Sequence, residues 1–325
     1  VPVEQDVDEG LASIAASGER MPRLQSLIVS QGGNVLVERY YNGHGPTDLT
    51  NIKSVSKSLI SALVGIAIEQ GHIPGGVDAT LGEYFAPELG SSVDNAKASI
   101  TIEDLLTMRA GLRSTSNGHY GAWVHSENWV KFALDQPLES APGSTMQYST
   151  ADTHLLSAIL TKATGRSTLE FAREALTEPL GFRLEPWPRD PQGFYVGGND
   201  MELTSRQLLA FGELYLNGGH VGGRQIVPER WVQASLEPRA ESPVGDERFY
   251  GYGWWICELA GHVAPHAWGY GGQFVVLVPD LSLVLVLTSA SHDGSDRYEH
   301  ANQAYGLLQR VIRRIDERLA TEAQL

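Results

Sequence analysis

Between Val55 and Gln70 the chain is apolar on nearly every side of a helix, with Leu59, Ile60, Leu63, Val64, Ile66 and Ile68 spread around it and Gly71 closing the run. A helix without a polar face has to be surrounded by protein, so the rest of the chain must fold around this one. Ser54-Val55-Ser56-Lys57 stands at its mouth. Residues three apart share a helical face, which brings the Ser54 hydroxyl and the Lys57 amine within reach of each other. Burial lowers the pKa of a lysine, and a neutral lysine can take the proton of a serine hydroxyl. The start of a helix also presents free N–H groups and a positive dipole end to developing negative charge. The competing assignment is an N-cap serine, a common role. Lysine is scarce here, five against nineteen arginines, which weighs against chance placement of Lys57.

At 325 residues the chain can bury a large core, as one domain or as two interlocked ones. A formal net charge of −15 argues against binding nucleic acid or an anionic membrane. Cys257 is the only cysteine, so no internal disulfide forms, and its apolar surroundings over 253–259 read as those of a buried, inert thiol. The longest apolar run, 59–68, is too short to cross a bilayer, so no stable membrane insertion is expected. His262 and His266 are four apart, but Pro265 breaks the helix that would align them. With no metal-binding or phosphate-loop spacing, neither metal nor cofactor is expected. The glycine pairs at 75–76, 197–198, 218–219 and 222–223 read as turns. The chain opens on Val1 rather than Met, which tilts the expectation toward an extracytoplasmic location and leaves the compartment open.

Periodicity predicts a short helix over 4–17, then a hairpin of strands 24–30 and 34–41 turning at Gln31-Gly32-Gly33. From about 101 to 216 the pattern is helical, with segments 102–108, 154–163, 168–176 and 205–216. Strands return at 252–259, 273–279 and 281–288, and an amphipathic helix over 298–320 closes the chain. Strands at both ends with helices between them predict an α+β fold. Segments 1–85 and 245–325 supply an antiparallel sheet flanked by helices, 86–244 a mainly helical lobe, and together they make one interlocked unit. A cleft between the two is the default place for a site.

Two further stretches belong with Ser54. Tyr148-Ser149-Thr150 follows the turn Ala141-Pro142-Gly143-Ser144 and precedes a helix; a tyrosine there can shuttle a proton if the charge of Lys57 lowers its pKa, or it is an aromatic packed under a loop. Ala267-Trp268-Gly269-Tyr270-Gly271-Gly272-Gln273 leads into an apolar strand, and its glycines let backbone approach a ligand closely. One N–H from this edge, with the N–H of Ser54, would make an oxyanion hole.

In this order, the three elements resemble the serine β-lactamase and penicillin-binding-protein superfamily, and more closely its class C β-lactamase-related branch of esterases, D-peptidases and 6-aminohexanoate-dimer hydrolases. Ser54-Val55-Ser56-Lys57 is similar to the family's Ser-x-x-Lys, Tyr148-Ser149-Thr150 to its Tyr-x-Asn/Ser, and Ala267-Trp268-Gly269 stands where a Lys-Thr-Gly or His-x-Gly triad lies. Leu105-Leu106-Thr107-Met108-Arg109-Ala110-Gly111-Leu112, Pro142-Gly143 and Tyr250-Gly251-Tyr252-Gly253-Trp254-Trp255 agree, so the resemblance covers about residues 22–290. It implies a β-lactamase/transpeptidase-like fold and a serine hydrolase of small esters or amides. In that reading Ser54 is the nucleophile, Lys57 and Tyr148 are the proton handlers, and the backbone N–H groups of Ser54 and Tyr270 form the oxyanion hole.

Two departures matter. Ala267 replaces the lysine or histidine that holds a substrate carboxylate in penicillin-recognising members, which favours esters or simple amides over β-lactams or peptidoglycan stems. His266 is adjacent, but side chains alternate along a strand, so it points to the other face and reads as structural. Thr150 replaces the usual Asn, keeping a hydroxyl near Lys57 and losing an amide. Asp152 and His154 read as a solvated acid and a helix-start histidine. Thr150, Trp268 and Gly269 are candidate substrate contacts, as are Tyr120 and Trp123 in the stretch 119–125, for which aromatic packing is the equal alternative. A D-alanyl-peptidase, a β-lactamase and a catalytically silent binding protein are the competing functions; oligomeric state is open.

Overall fold

The computed structural model describes residues 8–90, 95–245, 247–292 and 297–323. Its framework is an eight-stranded sheet, antiparallel at every pairing. The strands are β1 (Leu24–Gln31), β2 (Asn34–Tyr40), β3 (Ala240–Glu241), β4 (Phe249–Tyr250), β5 (Trp255–Leu259), β6 (His262–Gly269), β7 (Gln273–Val278) and β8 (Leu283–Ser289). Their spatial order is β2-β1-β8-β7-β6-β5-β4-β3, so the N-terminal hairpin joins the later meander through pairing of β1 with β8. β7 and β8 are buried at every position. They carry unbroken apolar runs because both faces of the sheet are covered.

On one face lie α1 (Glu9–Ser17) and α6 (Arg297–Glu322). α6 presents Ala304, Leu307, Leu308, Val311, Ile312 and Ile315, a stripe at helical spacing, to Leu27, Phe274, Val276 and Leu285. Asp8 caps α1 by accepting the Leu11 N–H at 2.9 Å and binds the Arg314 guanidinium at 2.8 Å, which ties the two helices together. The expected first helix is present over Glu9–Ser17; positions 4–7 lie outside the described residues.

The opposite face packs on α2 (Ser56–Glu69) and, around it, α3 (Trp129–Asp135), α4 (Thr150–Thr164) and α5 (Ser205–Leu216). α2 is buried from Ser56 through Ala67, as its apolar circumference requires. α4 begins at Thr150 rather than at the expected 154, because Ser116 Oγ accepts the Thr150 N–H at 2.9 Å and Thr115 Oγ1 the Ala151 N–H at 3.0 Å. These caps come from a loop 34 or more residues away, where no local pattern could announce them. Strand β6 was legible only around 266–267: Pro265 and His262 mask its start, and it pairs with β5 and β7 without a bulge.

Gly65, in the middle of α2, is where Trp231 packs: a Cβ there would stand 2.3 Å from the indole. Ala ordinarily improves a helix interior by about 0.5–1 kcal/mol over Gly, but overpacking costs about 1–3 kcal/mol. Gly65→Ala is therefore expected to lower the thermal midpoint by several degrees; a rise on thermal unfolding would show that Trp231 is not held against α2.

Candidate active site

Ser54 lies on a turn preloaded by its neighbours. Asn51 Oδ1 accepts the Lys53 N–H at 3.0 Å, and Lys53 adopts φ +50°, a left-handed conformation that a lysine holds only when its surroundings enforce it. Those surroundings are two. Gly269, at the end of β6, runs so close that a Cβ on it would be 2.4 Å from the Ile52 carbonyl. On the other side, Thr50–Asn51 pairs with Glu202–Leu203, the Ile52 N–H donates to the Met201 carbonyl at 2.9 Å, and Asp200 accepts from Asn51 Nδ2 at 2.9 Å, with the Lys53 ammonium at 3.5 Å. Ser54 itself remains partly exposed.

Lys57 is 1% exposed. Its Nζ lies 3.1 Å from Ser54 Oγ, 2.7 Å from the Gly198 carbonyl and 3.4 Å from Thr150 Oγ1. Burial is the largest influence on it and pushes its pKa down to about 7, with Asp152 and Asp200 acting the other way. A neutral amine has two N–H donors and one lone pair. With the donors on Gly198 and Thr150, the lone pair is left for the Ser54 hydroxyl. Thr150 Oγ1 continues to Ser116 Oγ at 2.9 Å, so the amine ends a chain of hydroxyls that also caps α4.

Tyr148 is partly buried, with the Ser54 hydroxyl near enough to lower its pKa slightly. Its ring stacks on Trp255 at 5.7 Å, with Lys57 Nζ 5.0 Å from the ring centroid. Burial raises the phenol above its ordinary value, and the Ser54 hydroxyl offsets this only in part. The charge of Lys57 therefore does not acidify Tyr148; desolvation acts on both groups and leaves the amine easier to deprotonate and the phenol harder.

Several expectations need correction. Asp152 is no solvated acid: it is 3% exposed, and burial pushes its carboxyl up to about 8 against the opposing Ser149 hydrogen bond and Lys57 charge. Lys57 and Asp152 feel each other and titrate as a unit. His154 is not at the helix start but a turn inside α4, fully buried, its Nε2 2.9 Å from Asp190. Trp123 is withdrawn as a substrate contact, because it is 0% exposed, packs on Trp129 and His154, and donates its Nε1–H to the Trp129 carbonyl. Tyr120 does reach the site's edge, where its hydroxyl accepts from Asn199 Nδ2 at 3.0 Å. Trp268 sits edge-on to Trp255 at 6.2 Å, beside the cluster that holds Tyr148. His266 is buried, with Nδ1 2.9 Å from the Ala264 carbonyl and Nε2 3.3 Å from the Tyr305 hydroxyl of α6; burial pushes its pKa down to about 4. Ala267 packs in the core with Ile52 and Val55, so its position brings no cation to the site. Cys257 is half-buried, and burial raises its thiol.

The segment Gly197-Gly198-Asn199-Asp200 was missed altogether. Its glycines read as a turn, yet neither has the positive φ found at Gly76, Gly218, Gly219, Gly222 and Gly223. They are glycines because a Cβ on Gly197 would be 2.1 Å from the Thr153 carbonyl and one on Gly198 would be 3.0 Å from Lys57 Nζ. Beside them, Asn199 Oδ1 is buried without a protein partner. Among the described residues no cluster of three or more His, Cys, Asp or Glu side chains is placed to hold a metal ion, and no helix is long and apolar enough to cross a membrane.

Known proteins share this architecture. The chain is 27% identical over 344 residues to the 6-aminohexanoate-dimer hydrolase of Paenarthrobacter ureafaciens, spanning 95% of this chain and 85% of that protein. Among solved structures it is similar to EstCE1, a hydrolase with promiscuous acyltransferase activity (TM-score 0.77, 18% identity, 94% of this chain and 99% of that one). It is likewise similar to the D-amino acid amidase of Ochrobactrum anthropi (TM-score 0.74, 16% identity, 96% and 99%). The Beta-lactamase family profile matches residues 22–310, nearly the whole described chain, and with a Ser-x-x-Lys pair held at the mouth of a buried helix this protein belongs to the Beta-lactamase family.

Proposed function

We propose that this protein is a serine hydrolase that cleaves small esters or amides through an acyl-enzyme on Ser54. The observation that carries the reading is a serine hydroxyl 3.1 Å from an amine whose pKa burial has brought to about 7. Neutral Lys57 takes the Ser54 proton as Oγ attacks the substrate carbonyl. The oxyanion is held by the N–H groups of Ser54 and Tyr270, the latter following Gly269 where β6 abuts the nucleophile turn. Tyr148, protonated at neutral pH, passes its proton to the departing alcohol or amine and is resupplied from Lys57. Water then attacks the acyl carbon while the same pair accepts its proton, and Ser54 is released.

Ala267 offers no cation for a substrate carboxylate, which favours neutral esters and linear amides. The likeness to a 6-aminohexanoate-dimer hydrolase and to an amidase supports the amide side of that range.

Hydrolysis of p-nitrophenyl butyrate by the parent protein and by Ser54→Ala tests the reading. The variant is expected to lose at least about a thousandfold in kcat; unchanged activity would overturn the assignment. Because the base works unprotonated, kcat/KM should rise with pH through about 7, on a limb belonging to the Lys57–Asp152 unit. A flat profile from about pH 5.5 to about pH 9, a range that brackets the Lys57 value of about 7, would exclude Lys57 as the base.

Burying Lys57 has a thermodynamic sign. Its folded pKa lies below its ordinary 10.5, so the protonated form opposes folding. That penalty, of order 5 kcal/mol, is full below about pH 7, shrinks as the pH climbs, and vanishes above the unfolded value. Removing the amine leaves the Gly198 carbonyl unpaired, at about 1–3 kcal/mol. Lys57→Met is therefore expected to be inactive yet at least as stable as the parent at pH 6, with its advantage fading towards pH 10 (about where the unfolded lysine titrates). Denaturant titrations at several pH values check this, and an advantage that grows with pH would contradict the burial argument.

A further inference from the structure

We propose that the buried His154–Asp190 pair is a positioning device for Lys57, acting through the Gly197–Gly198 backbone; the inference rests on the acyl-enzyme reading above. Both side chains are 0% exposed, with His154 Nε2 2.9 Å from Asp190 Oδ2. The other carboxylate oxygen, Oδ1, accepts the N–H groups of Gln192 at 2.9 Å and Phe194 at 2.8 Å. On the far side of the ring, Nδ1 faces the Gly197 N–H at 3.4 Å. An N–H can donate only to a ring nitrogen without a proton, so Nδ1 is the acceptor and Nε2–H donates to Asp190. Both ring nitrogens are committed, and the rings of Trp123 and Trp129, each 5.5 Å away, close the ring's surroundings.

Packing alone does not call for these groups, since apolar residues of similar volume often replace buried polar partners, even charged ones, without loss of stability. What the pair specifies is the path of one backbone segment. Gly197 is anchored to His154, and three residues on, Asp200 is anchored to Asn51 and Lys53. Gly198 lies between the anchors, its carbonyl 2.7 Å from Lys57 Nζ. That carbonyl takes one of the two N–H bonds of the neutral amine, and so aims the lone pair at Ser54. The carboxylates that act on Lys57 from α4 and from this segment, Asp152 and Asp200, are left unchanged by substitution at 154 or 190.

Asp190→Asn tests this without a change of volume. Oδ1 of the new amide keeps the Gln192 and Phe194 bonds while its NH₂ faces Nε2, which forces the proton onto Nδ1 and sets it against the Gly197 N–H. The expected result is a fall in kcat on p-nitrophenyl butyrate of about 10- to 100-fold, with KM within about twofold. Phosphonylation of Ser54 should slow in parallel, and the acidic limb should move to lower pH as the protonated amine loses its carbonyl partner. Adding His154→Asn, whose Oδ1 takes the place of Nδ1 and accepts from Gly197, should recover most of kcat while lowering the thermal midpoint through the space it leaves. Adding His154→Phe instead keeps the ring and removes the acceptor, so the loss should persist. Activity and stability then move in opposite directions, which a merely structural pair would not produce. Unchanged kcat and pH limb in a folded Asp190→Asn or His154→Phe/Asp190→Asn protein, or kcat that simply follows the midpoint, overturns the proposal. Ser54→Ala separates the two levels: a variant as active as the parent defeats the acyl-enzyme reading, whereas Ser54-dependent activity indifferent to position 190 defeats the positioning role alone.

Discussion

The structure is organised around a desolvated amine. Lys57 sits in a helix that the core surrounds, and a charged ammonium there is costly unless it is paired or gives up its proton. Its neighbours resolve the choice in one direction. They provide a carbonyl, two hydroxyls and an aromatic face but no carboxylate in contact, since Asp152 and Asp200 act from beyond hydrogen-bond distance, so burial prevails and lowers the pKa. A carboxylate in contact would have restored the charge and with it an ordinary, non-basic ammonium. The same desolvation stiffens the phenol of Tyr148, so a single physical cause moves two titratable groups apart, the amine down and the phenol up.

The candidate site is assembled from segments far apart in sequence: the turn at 52–54, the caps at 114–116, the start of α4, the stretch 197–203 and the end of β6. The candidate reactive groups were legible because chemistry constrains residue type. Ser54, Lys57 and Tyr148 announce themselves by spacing and setting, and the apolar runs of β7, β8 and α2 reveal what must be buried. The parts that hold those residues in place were not legible, since holding is done by backbone. Gly198 contributes a carbonyl that any residue possesses, and its glycine is explained by a clearance visible only in three dimensions. Asp152 and His154 look like surface residues from the pattern of α4, because nothing local says that a loop at 114–116 and a segment at 190–197 will cover them. Strand β6 eluded periodicity at its start for a related reason: tertiary pairing on both sides overrides the local signal of Pro265.

Where the chain departs from the pattern of its family, the structure accounts for the geometry of the departures. Ala267 occupies a strand position whose side chain enters the core beside Ile52 and Val55, and the register of β6 with β7 shows no bulge that could bring His266 round in its place. Thr150 keeps contact with the amine through its hydroxyl and passes the connection to Ser116, so the loss of an amide at this position leaves the hydrogen-bonded chain intact.

The pairing of β1 with β8 joins residues 24–31 to residues 283–289. The hairpin that leaves the ribosome early thus has no neighbour in the sheet until some 250 further residues have been made, at least about ten seconds at ordinary elongation rates. During that interval the sheet that backs α2 is incomplete. An amine in water keeps its proton and cannot activate a serine. The low pKa of Lys57 is therefore a property of the folded chain and not of the segment that carries it, because the groups that cover the amine, at 148–150 and 198, and the strand that closes the sheet all come later.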